Sequence, residues 1–218
     1  MNHPITSTLP ENESNNANNS TAQPNSTTPH SSAQVGDTIQ LGRLDWIVLS
    51  VRDNRALLLS YYILEIRPYH NIHHVEITWE YSNLRKHLNG YFLDTTFDEQ
   101  ERALIIETLV INNDHPRHRT PGGNDTLDKV FLLSIDEMDE FMGNEAPIAL
   151  RNARIAEQIE RGRVLRWWLR SPGIFTNIIG SNPERRSAYA VNTNGNMGSL
   201  SATETGVGVR PALWLYID

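Results

Sequence analysis

The chain of 218 residues contains no cysteine. That excludes disulfides, thiolate zinc sites, iron–sulfur clusters and a cysteine nucleophile. Lysine is nearly absent too: only Lys86 and Lys129 stand against 17 arginines. Arginine is a planar five-donor fork suited to fixed hydrogen-bond networks. Positive charge is in deficit, with a formal net charge of −7. A general nucleic-acid binder would show a basic face instead, so no nucleic-acid partner is expected. No apolar run reaches the roughly 18 residues of a membrane helix, so no membrane span is expected. The positive start and apolar stretch of a secretion signal are missing as well. These absences leave a cytoplasmic location or export by a non-classical route.

What is present divides in two. Residues 1–34 hold seven Asn, six Ser, five Thr and four Pro, no aromatic residue and no Lys or Arg. Such a segment cannot bury enough apolar area to offset its ordering entropy. It reads as a disordered tail. Glu11 and Glu13 carry −2 of the net charge with it, leaving −5 on residues 35–218. The 39% hydrophobic content lies mainly in that body, which is expected to be one domain.

The body opens with two strand-like runs, Asp45–Val51 and Arg55–Leu64, around the polar turn Arg52-Asp53-Asn54. Ser82 can cap a helix with apolar positions Leu84, Leu88 and Tyr91. Asp98 and Glu101 form a capping-box pattern ahead of Ala103, Ile106 and Leu109. Lys129–Ser134 reads as a buried strand, and Ser134 with Glu137 as a second capping box. The helix after it should stop at Gly143, and another should run from Ile148 to Ile159. The remainder reads as strands: Val164–Arg170, Ser187–Val191, Gly198–Ser201 and Val207–Ile217, with a turn at Asn192–Asn196. The expected class is α+β, with helices in the first part and a β-rich C-terminal part.

The C-terminal third has the most specific text. Trp167-Trp168-Leu169-Arg170-Ser171-Pro172-Gly173 is followed by Ala188-Tyr189-Ala190-Val191 and by Gly208-Val209-Arg210-Pro211-Ala212-Leu213-Trp214. With Trp46-Ile47-Val48-Leu49, Thr78-Trp79-Glu80 and Val130–Ser134, this resembles a widespread bacterial domain family of unknown function. Its ending is similar to the C-type-lectin-like fold, including formylglycine-generating-type domains. The resemblance implies a single lectin-like domain over 35–218, with Gly208-Val209-Arg210 in the closing strand. Fold alone fixes no function. On a strand the adjacent Trp167 and Trp168 face opposite sides. Arg170 and Arg210 lie in apolar strands, and each needs carbonyls or a carboxylate to satisfy its fork. All four are expected to be structural.

Several chemistries can be weighed. His70, His73 and His74 cluster in one expected loop, and His115 and His118 in another. Their spacing matches no zinc pattern, so they are expected to be solvent-exposed, with no metal and no cofactor. The calcium triplets of sugar-binding lectin-like domains are absent; Asn182-Pro183-Glu184 has similar residue types in reversed order and reads as a surface turn. Asp136, Glu137, Asp139 and Glu140 read as a solvated face at a helix N-terminus. The oxidase chemistry of the formylglycine-generating relatives needs cysteines, so it is not implied here.

The late loops remain. Phe175, Asn177, Asn182, Glu184, Arg186, Tyr189, Asn192, Asn194 and Asn196 combine aromatics with adaptable amide and charged groups. That mix suits a recognition surface. The expected function is a non-catalytic module showing a variable loop surface to a protein or glycan ligand. One version is the variable protein of a diversity-generating retroelement. The alternatives are a metal-dependent relative of the formylglycine-generating enzymes and a structural component of a phage or secreted assembly.

Overall fold

A computed structural model describes residues 32–72, 77–174 and 187–217. The expected tail falls outside these residues as far as position 31. Ala33 already packs against the core.

Strands β1 (Thr38–Leu41), β2 (Leu44–Arg52) and β3 (Arg55–Ser60) form an antiparallel meander. Asp53 and Asn54 make its second turn with φ of 50° and 57°. Asp and Asn tolerate this left-handed pair, which matches the twist of a two-residue hairpin. After the short β4 (Glu65–Ile66), Ser82 caps α1 (Asn83–His87), accepting from Arg85 N at 3.0 Å. A π-helical stretch, Leu88–Phe92, leads into α2 (Leu93–Thr96). A π turn holds more residues than an α turn and shifts the next side chains around the axis. Tyr91, expected on the apolar face, is therefore 67% exposed, and Phe92 is buried instead.

The capping box of Asp98 and Glu101 starts α3 (Glu99–Leu104). The helix does not continue to Leu109 as its spacing predicts. Ile105–Ile106 becomes β5, paired with a late strand, and Leu109 sits 56% exposed in β6 (Thr108–Val110). β-Branched residues fit a pleated sheet better than a helix, and the tertiary pairing wins. β6 forms a ribbon with β7 (Thr126–Asp128).

Lys129–Ser134 is not the strand expected. Val130–Leu133 are buried, yet the only ladder contact here among the described residues is a bridge from Phe131 to Ala212. Phe131 exchanges backbone bonds with Ala212, and Leu133 O accepts from Arg170 N at 2.9 Å; side chains satisfy much of the rest. Asn89 Oδ1 accepts from the amides of Lys129 and Val130 at 2.9 and 3.1 Å, and Asn89 Nδ2 donates to Val130 O at 2.8 Å. Buried backbone groups need partners, and those partners need not be strands.

Both halves of the Ser134–Glu137 capping box are present at α4 (Ile135–Met142). It stops at Gly143, where a Cβ would lie 2.1 Å from Asp139 O. α5 (Ile148–Asn152) is far shorter than expected, because Ala156–Glu157 is a strand, β8, paired with β9 (Val164–Leu165). Two side chains take the carbonyls where the helix stops: Arg210 donates to Ala153 O and Trp167 Nε1 to Arg154 O.

The C-terminal part is β-rich. β10 (Trp167–Pro172), β11 (Ser187–Val191), β12 (Met197–Ser201), β13 (Gly208–Val209) and β4 form one sheet in the order β12-β11-β10-β13-β4. β14 (Ala212–Tyr216) joins the first sheet, ordered β1-β2-β3-β14-β5. The expected closing strand Val207–Ile217 is thus two strands in two sheets. Pro211, with no amide to donate, marks the break. Trp167 and Trp168 are both fully buried. The fold is α+β.

Candidate functional site

The β11–β12 hairpin positions the first candidate surface. Its turn closes by Gly195 N donating to Asn192 O at 2.9 Å and Asn192 N to Asn196 O at 2.7 Å. Gly195 has a φ of 83°, a conformation that favours glycine. Asn194 Oδ1 accepts from Asn196 N at 3.0 Å, fixing the tip. Arg154 ties this tip to α4: its Nε donates to Gly195 O at 2.9 Å and its Nη1 to Met142 O at 3.1 Å.

Between the tip and the α4–α5 region lies an open groove of about 550 Å³. Asn194, Gly195 and Asn196 line one side. Asp139, Asn144, Arg151, Asn152 and Arg154 line the other, with Met142 and Ile155 as its larger apolar side chains. The groove therefore offers amides, two guanidinium groups and one carboxylate to the same volume. Chemically it can donate to and accept from a hydroxyl-rich or amide-rich ligand. The helical side of this groove is invisible to local spacing rules, since contacts about 40 positions apart, the hydrogen bonds of Arg154 among them, bring it to the turn.

Of the other expected site residues, the two that are described, Tyr189 and Asn192, do not line the groove. The Asn192 side chain lies against Gly198, where a Cβ would be 3.2 Å from Nδ2. Tyr189 packs edge-to-face on His115, with ring centres 4.7 Å apart. Phe175, Asn177, Asn182, Glu184 and Arg186 lie outside the described residues, as do His73 and His74.

Two histidines expected at the surface are buried. His115 is 2% exposed, its Nδ1 accepts from the amides of Arg117 and His118 at 3.1 and 3.3 Å, and its buried Nε2 has no partner among the described residues. Its acceptor role at Nδ1 places the proton on Nε2. His70 is also buried, and its Nδ1 has no partner among the described residues. Among the described residues, no group of three or more His, Asp or Glu side chains could hold a metal ion.

Burial, then the nearby charge of His118, holds the His115 pKa below its usual 6.5, and burial with Lys86 does the same at His70. The unfolded chain then takes up protons near pH 6.5 that the folded chain resists. Stability should be held above that pH and fall as pH drops through and below it. The urea midpoint is expected to fall between about pH 7 and pH 5, and His115→Gln should flatten part of that slope. An unchanged slope in the variant would show that His115 does not contribute.

Of the acidic run, Asp136, Asp139 and Glu140 are exposed, as a solvated face requires. Glu137 is not part of it. It turns inward to a bidentate pair with Arg170, through Nη2 at 2.9 Å and a second contact from Nη1. Arg170, 4% exposed, also donates to Leu132 O at 2.7 Å and Ile111 O at 3.1 Å. Tyr69 OH donates to Arg170 O at 2.9 Å, and burial pushes that phenol's pKa far up. Arg170 thus links β10, α4 and the chain after β6.

No helix among the described residues is long and apolar enough to cross a membrane. No curated protein and no solved structure matches the chain. A family model does match it, over residues 53–217, from the β2–β3 turn through the whole of β14. The chain belongs to that family, described as domain of unknown function DUF6273.

Proposed function

We propose that this domain is a non-catalytic recognition module and that the groove beside the Asn192–Asn196 turn is its binding face. One observation carries this reading. Asn194 and Asn196, singled out from sequence, share a groove with Asp139, Asn144, Arg151 and Arg154. Side-chain amides, guanidinium groups and a carboxylate around a shallow volume match the hydroxyl-rich surface of a glycan. A lectin-like architecture fits this reading. Such a fold needs its last strand beside an early one, and β14 runs antiparallel to β3 from Ala212↔Leu59 to Tyr216↔Arg55.

The test is a glycan array run with the full chain and with Asn194→Ala/Asn196→Ala. The wild type should bind a discrete set of glycans, and the double variant should lose about tenfold in affinity or more. Equal binding by both proteins removes the groove from the reading. No glycan bound, together with a protein partner captured equally by both, overturns it. The retroelement version requires a reverse-transcriptase gene and a template repeat beside this gene, and their absence would end it.

A further inference from the structure

A second cavity, of about 530 Å³, opens between β1, the Tyr61–Tyr62 segment and the α5–β8 connection. Arg210 is part of its lining and is 1% exposed. The guanidinium sits where the chain passes from β13 to β14. Its Nε donates to Ser60 O at 2.7 Å, Nη2 to Tyr61 O at 3.1 Å and Nη1 to Ala153 O. Its plane lies over the Trp167 ring, 5.1 Å from the centre.

Every one of these partners is neutral. A guanidinium has five N–H donors, so two remain. Arg170 shows the contrast, since its buried charge meets the Glu137 carboxylate. Among the described residues Arg210 has no such ion pair. A buried cation without an anion is costly. Burial pushes the pKa of Arg210 down to about 9.

The other walls mix apolar side chains with the polar Thr38, Asn152 and Glu157. Tyr61 and Tyr62 meet edge-to-face with ring centres 5.0 Å apart, and Ile47 and Ile155 face the same volume. Glu157 is the only carboxylate residue on the lining; it is exposed and makes no ion pair among the described residues. Its charge sets the cavity against dianions such as a phosphate monoester.

We propose that this cavity binds a small organic monoanion, with a carboxylate against Arg210 and an apolar body against Tyr61, Tyr62 and Ile155. The carboxylate would take the two remaining donors, and a charge-assisted hydrogen bond is about twice as strong as a neutral one. The site adjoins the groove at Asn194, sharing Asn152 and Ile155 with it, but its argument rests on Arg210 and does not depend on the reading of that groove.

Phenylacetate is a suitable probe, with neutral phenylacetamide as its control and inorganic phosphate as competitor. In NMR titrations of the full chain, phenylacetate should move the Arg210 Nε–H signal and those of Tyr61 and Tyr62 saturably. Phenylacetamide should bind at least about tenfold more weakly, and phosphate should not displace phenylacetate. Ala149 and Thr38 are exposed residues on the lining. Ala149→Trp should block binding while melting stays unchanged, and Thr38→Trp does the same from the opposite wall should Ala149→Trp fail to fold. A still Arg210 signal, equal binding of the amide, displacement by phosphate, or binding that survives a folded blocking variant would each overturn the proposal.

Discussion

Asp128→Ala should lower the folding stability by about 4 kcal/mol. The carboxylate is fully buried at the end of β7. Oδ2 accepts from Trp79 Nε1 at 2.9 Å and from Thr126 Oγ1 at 2.7 Å, and Oδ1 accepts from Arg85 Nε at 2.7 Å. One side chain thus joins the Trp79 segment, α1 and the β6–β7 ribbon. Alanine leaves the indole N–H buried and unpaired and removes the partner of a largely buried cation. Removing one member of a buried pair costs far more than a surface pair is worth. A shift of the urea midpoint at constant slope would measure it. Asp128→Asn keeps an acceptor for Trp79 and should lose roughly half as much. A loss below about 1 kcal/mol for alanine would mean the three groups find other partners.

Glu137→Ala should cost about 3 kcal/mol, by two routes. The first is the charge of Arg170, left deep in the protein with carbonyls alone. The second is the N-terminus of α4, where Glu137 Oε2 accepts from Ser134 N at 2.8 Å as one half of the capping box. The Glu137 side chain is a quarter exposed, so water can relieve part of the loss. Glu140→Ala, on the exposed face of the same helix, should stay within about 0.5 kcal/mol of wild type. If both variants melt alike, Glu137 belongs to the solvated face after all.

These two residues also show what was legible from sequence. Caps are local, so Asp98–Glu101, Ser134–Glu137 and the stop at Gly143 could be read from a few neighbouring letters. The hairpin at Asp53-Asn54 and the strand Ser187–Val191 were legible for the same reason. Failures came where a distant group decided the outcome. Asn89 satisfies the backbone at Lys129 and Val130 across 40 positions, so that segment needs no ladder. Ile105 and Ile106 leave the helix because β14 offers them a pairing. His115 is buried under Tyr189, which stands far along the chain. The groove was half visible: Asn194 and Asn196 lie in a turn signal, whereas Arg151, Asp139 and Asn144 read as ordinary helix surface and loop.

The position of β14 has a consequence for how the molecule is made. It lies between β3 and β5, inside its sheet, with ladder partners on both sides. Its neighbour β3 precedes it by about 150 positions. On the ribosome, β3 therefore waits with an open edge until residue 216 emerges. Closing so large a loop late is slow, because the entropy must be lost before the contacts form. During that interval the apolar residues of β3, Ala56–Leu59, are uncovered on an unpaired edge, a configuration prone to wrong pairing. Synthesis halted before Ala212 would leave a chain with most of its core residues and no means of completing the sheet that holds them.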